Sequence, residues 1–176
     1  MQILIYTTED DYYLMPELKI LDDLQAPGDT LKVRFKGPNP AAVLGMIPEL
    51  LKNVMKISSK DTFETDMRWD AIGSDNGFYG VWMGKRGEDN WTKTFIRVLV
   101  QGDQSIADKT GKFELQLKGF IETSYNYSNS FQRMFWLFYN RHFYNEQRRK
   151  YIEEGKQDMF DIKEEIMSRF KILQED

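Results

Sequence analysis

Four consecutive segments of the chain alternate apolar and polar residues, and short polar turns separate them. Strict alternation is typical of strands with one dry and one wet face, because successive side chains point to opposite sides of the backbone. We therefore predict an antiparallel meander with one solvated face, built from residues 62–72, 78–84, 92–101 and 113–122. Asn76 and Gly77 between the first two strands predict a tight hairpin turn in which Gly77 takes a positive φ.

The chain ahead of the meander predicts two further strands and a helical region. Residues 2–7 are apolar and β-prone, and residues 30–36 alternate like the meander strands. Residues 12–25 fit either a short helix or an irregular arm, since a leucine stripe runs between proline and turn residues. A helical pattern covers residues 43–55, but Pro48 lies inside it and predicts a kink or two short helices.

Two helices are predicted after the meander. Ser128 or Ser130 caps the first, which runs to about Glu154 with Gly155 as its terminator. Its first turns are apolar on every side, as in a helix that is buried on every side. The second starts near Asp158 and carries one apolar stripe. Combining strands and helices, the predicted core contains Phe63, Met67, Trp69, Leu115, Leu117, Phe131, Phe135 and Phe138.

These elements predict an α+β fold in which a kinked helix pair and a long C-terminal helix cover one face of an antiparallel meander, with a terminal helix added. The element order resembles the helix-grip order of START-like and Bet v 1-like domains, to which the N-terminal strand and arm and the last helix are additions. We predict one α+β domain over residues 1–155. Residues 156–176 form a C-terminal helix packed on this domain or on a partner subunit.

Composition excludes several kinds of chemistry. The 176-residue chain has no cysteine, which excludes disulfides, thiolate metal sites and cysteine nucleophiles. His142 is the only histidine, so metal sites built from several histidines are excluded. The longest strongly apolar run, residues 134–139, is far shorter than the roughly 20 residues of a membrane span. We expect a soluble, cytoplasmic protein.

The acidic clusters do not predict a metal site. Residues 9–11 and 22–23 lack the glycine and terminal glutamate of a calcium loop, and we expect no bound metal and no cofactor. Glu64, Asp66 and Asp70 alternate along a strand, which is typical of a solvated sheet face. An enzyme working through carboxylates, or through His142 with Glu146 one turn away, is therefore the least favoured class of function.

A binding module for a small apolar ligand is the first functional interpretation. The abundant large side chains can line a pocket between the sheet and the long helix, or they can simply fill that space. The ligand site predicted under the first alternative contains Trp69, Trp82, Tyr125, Tyr127, Trp136 and His142.

A protein–protein interaction or self-assembly domain is the second interpretation. Arginine and tyrosine recur every three or four residues along the long helix, and such a stripe suits an acidic partner or phosphate contacts. The predicted partner-binding residues are Arg133, Arg141, Tyr144, Arg148 and Tyr151. A net charge of −4 argues against nucleic acid. The apolar stripe of the last helix further suggests a homodimer in which that helix takes part.

Overall fold

The computed structural model describes residues 16–26, 28, 30–72 and 75–172. Over these residues the protein is an α+β domain whose six-stranded antiparallel sheet carries an N-terminal helix and a long C-terminal helix. The strands are β1 (Glu17–Asp23), β2 (Leu31–Pro38), β3 (Thr62–Ile72), β4 (Asp75–Gly87), β5 (Thr92–Ser105) and β6 (Thr110–Asn126). The helices are α1 (Ala42–Met55), α2 (Ser130–Tyr139) and α3 (Asn145–Phe170), and a π segment (Asn140–Tyr144) joins α2 to α3.

The predicted meander is confirmed, because β3, β4, β5 and β6 pair in that order. Its first turn is not where the sequence placed it. Asn76 and Gly77 lie inside β4, opposite Ala71 and Asp70, and Gly77 does not adopt a positive φ. The predicted turn at these two residues is therefore wrong. Pairing of Gly77 with Asp103 of β5 keeps β4 extended here, whatever the local preference of Asn-Gly for turns.

One edge of the sheet is formed by β1 and β2, which lie end to end along β6. The first pairs with residues 120–126 and the second with residues 110–117. The prediction of a helix or irregular arm over residues 12–25 is wrong from Glu17 to Asp23, because Leu18 and Ile20 alternate with polar neighbours and are buried. The predicted strand at residues 2–7 lies outside the described residues.

The other edge is β3, where one extra residue changes the direction of the side chains. The pairing with β4 shifts between Glu64 and Asp66, so Phe63 and Met67 lie on opposite faces of the sheet. Phe63, Met67 and Trp69 are 39–55% exposed, and their assignment to the core is wrong. The bulge reverses the face of every residue beyond it, and side chains on both faces are exposed because β3 is the edge strand of the described sheet.

Helix α1 is one continuous helix, so the prediction of two short helices in succession is wrong. Pro48 lies in its middle and removes one backbone hydrogen bond. Apolar side chains on both sides of the proline hold the helix on the sheet, and this packing outweighs the local cost. The buried residues are Val43, Leu44, Ile47, Leu50, Leu51 and Met55.

Helix α3 runs straight through Gly155, where the sequence predicted its end and a separate last helix. Gly155 is buried, and a Cβ atom there would lie 2.8 Å from Leu24 Cδ1. Gly119 of β6 faces the same leucine, and a Cβ atom there would lie 2.5 Å from Met159 Sδ. The two glycines let α3 approach the sheet closely, and Gly155 therefore serves packing and does not terminate the helix.

The core lies between the inner face of the sheet and helices α1 and α3. Leu115 and Leu117 of β6 are fully buried there, as predicted. The predicted stripe of the last helix is also buried, but within this chain, through Met159, Ile162 and Ile166. Beyond them Phe170 packs its ring on the rings of Phe35 and Phe113.

Candidate functional site

Large apolar side chains of α2 and the π segment face solvent. Of the twelve exposed large hydrophobic residues in the described part of the chain, seven lie between residues 131 and 143, with exposed fractions of 40–71%. We call this set the aromatic surface: Phe131, Met134, Phe135, Leu137, Phe138, Tyr139 and Phe143. The prediction that Phe131, Phe135 and Phe138 belong to the core is wrong, because α2 meets the domain along one narrow side only.

A single tryptophan, Trp136, makes the contact on that side. Trp136 is 4% exposed and forms a small core with Leu18 and Ile20 of β1. Its ring stacks on Tyr125 of β6 at a centroid distance of 5.1 Å, and Tyr127 packs beside them. Trp136 therefore anchors α2 at the end of the sheet, while the remainder of the helix projects beyond the area that the sheet covers.

The start of α2 is capped, although not by either predicted serine. The side chain of Asn129 accepts a hydrogen bond of 2.9 Å from the backbone N–H of Gln132. The side chain of Gln132 in turn accepts hydrogen bonds from the backbone N–H and the hydroxyl of Ser128. These reciprocal contacts satisfy donors at the first turn and define where the helix begins.

The π segment changes the phase between α2 and α3. Its wider turn is closed by a hydrogen bond from the backbone N–H of Asn145 to the carbonyl of Asn140, five residues earlier. Tyr144 at its end is buried, whereas His142 and Phe143 remain on the outside. His142 contacts Phe138 with ring centroids 4.5 Å apart, and so continues the aromatic surface.

A polar network fixes the start of α3 to the sheet. Tyr144 donates a hydrogen bond of 2.6 Å to Asp89, which lies in the turn between β4 and β5. The hydroxyl of Thr92 lies 2.5 Å from that of Tyr144 and 2.8 Å from that of Thr123. Since Tyr144 has one hydroxyl hydrogen and donates it to Asp89, Thr92 donates to Tyr144 and Thr123 donates to Thr92. Tyr151, about two helical turns further along, also donates to Asp89 at 3.2 Å.

The network shifts the titration of its members. Burial acts to raise the pKa of Asp89. Its carboxylate also accepts hydrogen bonds, and these outweigh burial and hold the pKa below its ordinary value. The donors are the hydroxyls of Tyr144 and Tyr151 and the backbone N–H groups of Trp91 and Thr92. For Tyr144, burial and the adjacent carboxylate of Asp89 both raise the pKa well above its ordinary value. The pair is thus held as a neutral phenol donating to a charged carboxylate, which is a structural arrangement at neutral pH.

Two buried ion pairs continue this contact along α3. Arg148 pairs with Asp22 of β1, and both side chains are almost fully covered. Burial lowers the pKa of Arg148, and the charge of Asp22 opposes this. Further along, Arg86 of β4 lies 2.5 Å from Asp158 and 2.8 Å from Glu88. Charged groups therefore attach the polar helix α3 to the inner face of the sheet.

The predicted partner-binding residues are divided between the contact of α3 with the sheet and the exposed aromatic surface. Tyr144 and Arg148 point inward to Asp89 and Asp22, and half-buried Tyr151 also contacts Asp89. Arg133 and Arg141 are exposed beside the aromatic surface, and Arg133 lies over the ring of Tyr127 at 5.7 Å. The structure does not bring the five residues to one surface.

The predicted ligand-binding residues do not surround one space either. Tyr125, Tyr127 and Trp136 come together at the foot of α2, while Trp82 is buried in the main core. Trp69 is exposed on β3 with its ring 6.0 Å from that of Phe78, and His142 lies on the outside of the π segment.

Two cavities lie elsewhere in the described part of the molecule. An open groove of about 820 Å³ is lined by side chains of both charge signs, including the paired Arg34 and Glu114. A smaller cavity of about 290 Å³ lies between the segment that links β1 to β2 and helix α3, against Leu24, Leu31, Met159 and Phe160. Neither cavity is lined by a predicted ligand-binding residue.

A metal-holding cluster and a membrane-spanning helix are both absent from the described residues. These residues contain no group of three or more histidine, cysteine or acidic side chains arranged to hold a metal ion. Among the same residues, no helix has the length and apolar content needed to cross a membrane.

Sequence reasoning did not identify the network around Asp89. A signal for it is present, since Thr92 and Thr94 fall on the apolar face of β5 and are fully buried. A buried hydroxyl requires a hydrogen-bond partner. Two threonines on a dry strand face therefore indicate polar groups on the element packed against them, which here is α3 with the adjoining turn.

Comparisons with known proteins add little to this geometry. No family model matches the chain, and no curated protein matches it. A protein of unknown function from Staphylococcus aureus is 8% identical with a TM-score of 0.23, over 82% of this chain and 99% of that one. An uncharacterised protein from Rhizobium leguminosarum is 9% identical with a TM-score of 0.19, over 83% of this chain and 98% of that one. At TM-scores this low, neither structure informs the function of this chain.

Proposed function

We propose that this domain is an interaction module whose aromatic surface binds a macromolecular partner. The observation that supports it is the concentration of seven exposed large hydrophobic side chains within thirteen residues of one helical segment. Isolated exposed apolar residues are ordinary, but a contiguous patch of them marks an interaction site. Complete burial of a phenylalanine or methionine side chain is favourable by about 1.5–3 kcal/mol, so a partner that covers several of them gains substantially.

The scaffold supports this role because it presents the patch in an ordered form. Asn129 caps the start of α2, Trp136 anchors its middle, and the contacts of Tyr144 with Asp89 and Thr92 hold its far end. A patch on a capped and anchored helix loses little conformational entropy on binding, which leaves more of the burial free energy for affinity.

We also propose, as a second function, that the domain binds a small apolar ligand. This proposal is supported by the cavity of about 290 Å³, whose walls include Leu24, Leu31, Met159 and Phe160. Apolar walls of this kind suit a small hydrophobic molecule. Native mass spectrometry of the protein as purified tests this proposal. A bound mass that is lost in Met159→Trp supports it, and the bare chain mass alone in both proteins contradicts it.

The interaction module is tested by fractionating extracts of the cells that naturally express the protein. Wild type is compared with Phe135→Ser/Phe138→Ser and with a control, Ile106→Ser, whose side chain is 48% exposed in the turn between β5 and β6, outside the aromatic surface. We expect wild type and the control to migrate away from the free monomer, with a partner, and the double variant to migrate as the free monomer. Identical migration of wild type and the double variant contradicts the proposal.

A further inference from the structure

The charged residues of the chain around the aromatic surface are mostly basic. From Tyr127 to Asn145 there is no acidic residue, and Ser128–Lys150 contains five lysine and arginine residues against Glu146 alone. Of the five, Arg148 is buried by its pair with Asp22, and the others are exposed: Arg133, Arg141, Arg149 and Lys150. The chain as a whole has a net charge of −4, so positive charge is concentrated beside the exposed apolar side chains.

We infer that the partner of the aromatic surface is an anionic lipid bilayer, an inference that rests on the proposed interaction function. A helix lying in the interface of a bilayer places aromatic and aliphatic side chains about 5–10 Å deep and keeps lysine and arginine at the headgroups. Each basic residue near an anionic surface strengthens binding about fivefold. The combination of an apolar patch and adjacent cations matches both requirements.

The spacing of the side chains fits a helix that lies parallel to a surface. Phe131, Met134, Phe135 and Phe138 recur at three- and four-residue intervals, which places them on one stripe about 10 Å long at 1.5 Å per residue. Arg133, Leu137 and Arg141 recur every four residues and follow a neighbouring stripe. Trp136, the anchor, is buried against the domain. The apolar stripe can therefore enter the bilayer while the arginines remain among the headgroups.

A second copy of the chain fits this surface less well. Contact across a two-fold axis buries the same patch of both copies, so the exposed arginines of both copies are brought into one interface. Between Tyr127 and Asn145 there is no carboxylate to pair with them. Nucleic acid would provide phosphate, and its bases can stack on phenylalanine. It offers no apolar interior for Met134 and Leu137, which gain only from removal of water.

Vesicle sedimentation with the full chain tests the lipid inference. The probes are vesicles of phosphatidylcholine alone and of phosphatidylcholine with about one third phosphatidylserine. We expect wild type and Ile106→Ser to bind the mixed vesicles and to bind the neutral ones at least about 25-fold more weakly, because the neutral surface attracts none of the basic residues. Arg133→Gln/Arg141→Gln should weaken binding to the mixed vesicles roughly 25-fold, from about fivefold for each charge. Phe135→Ser/Phe138→Ser should abolish it.

Methionine oxidation locates the contact within the same samples. Met134 lies in the aromatic surface, and Met67 is exposed on β3 as an internal control. We expect mixed vesicles to slow oxidation of Met134 severalfold and to leave Met67 unchanged. Equal rates for Met134 with and without vesicles overturn the inference.

The remaining outcomes separate the lipid inference from the interaction function. If wild type binds neither vesicle but its migration in cell extracts still depends on Phe135 and Phe138, the lipid inference fails and the interaction function stands. If wild type sediments as a dimer and Phe135→Ser/Phe138→Ser sediments as a monomer, the partner of the aromatic surface is a second copy of the chain. If the protein binds an oligonucleotide but no vesicles, the partner is a nucleic acid. Either result overturns the lipid inference. If migration does not depend on the two phenylalanines, both proposals fail.

Discussion

Helices α2 and α3 follow one another in the chain and differ in both composition and burial. The first has ten residues, is rich in phenylalanine and buries only Trp136. The second has 26 residues, most of them polar or charged, and buries Met159, Ile162 and Ile166 in the main core. The apolar content of a helix therefore shows how much of its surface is favourable to bury. Whether that surface is buried within this chain depends on where the helix lies relative to the sheet.

The physical cause of the difference is where each helix meets the sheet. Gly119 and Gly155 allow α3 to lie close against β6, so even a narrow apolar stripe is fully covered. Polar side chains of α3 and of the π segment that fall near the sheet find partners, such as Arg148 with Asp22 and Tyr144 with Asp89. By contrast, α2 lies beyond this area and touches the sheet at the end of β1 and β6 alone.

The largest effect is expected from breaking the buried ion pair that attaches α3. Asp22→Leu leaves the guanidinium of Arg148 buried without a compensating charge, which should lower the free energy of unfolding by about 3–5 kcal/mol. Denaturant unfolding measures the change. The double variant Asp22→Leu/Arg148→Leu should recover much of it, because no uncompensated charge remains. Equal stability of Asp22→Leu and wild type would show that the pair does not hold α3.

A matched pair of truncations compares the two helices directly. Ile162→Ala in α3 removes a fully buried side chain and should cost about 2–5 kcal/mol through lost burial and cavity formation. Phe135→Ala in α2 removes an exposed side chain and should change stability by less than about 0.5 kcal/mol. Unfolding in denaturant tests both variants. A cost above 2 kcal/mol for Phe135→Ala would mean that the aromatic surface is already covered within the monomer.

A smaller loss than that from the buried ion pair or the Ile162 truncation is expected from the polar network at the start of α3. Tyr144→Phe removes the hydrogen bond to Asp89 and should cost about 1–2 kcal/mol at pH 7, since Asp89 is partly exposed. The pKa of Asp89 is depressed in the folded state, so this stability is present above the unfolded-state pKa of about 3.9 and is lost as the pH falls through the lower folded value. Unfolding measured at pH 7 and at acid pH checks both points. A cost that stays constant across this range would contradict the assigned role of Asp89.

The strands and the buried stripe of α3 were predictable because their signals are local. Alternation places Leu115 and Leu117 on the buried face of β6, and helical spacing places Met159, Ile162 and Ile166 on one side of α3. The candidate site was predicted less well. Its residues were recognised as an apolar helix, but we expected that helix to be buried, because composition alone does not say what lies next to it.

Three features could be decided only by the assembled fold. The bulge between Glu64 and Asp66 reverses a strand face. Gly155 lies inside α3, where Leu24, far away in sequence, occupies the space that a side chain would need. The π segment then places Tyr144 against the sheet and leaves Phe138 outside it. Residue periodicity and turn composition thus determine which segments become strands and helices, since these depend on neighbours in the chain. Register, close approach and the exposure of α2 depend on contacts between distant segments, and the tertiary structure alone establishes those contacts.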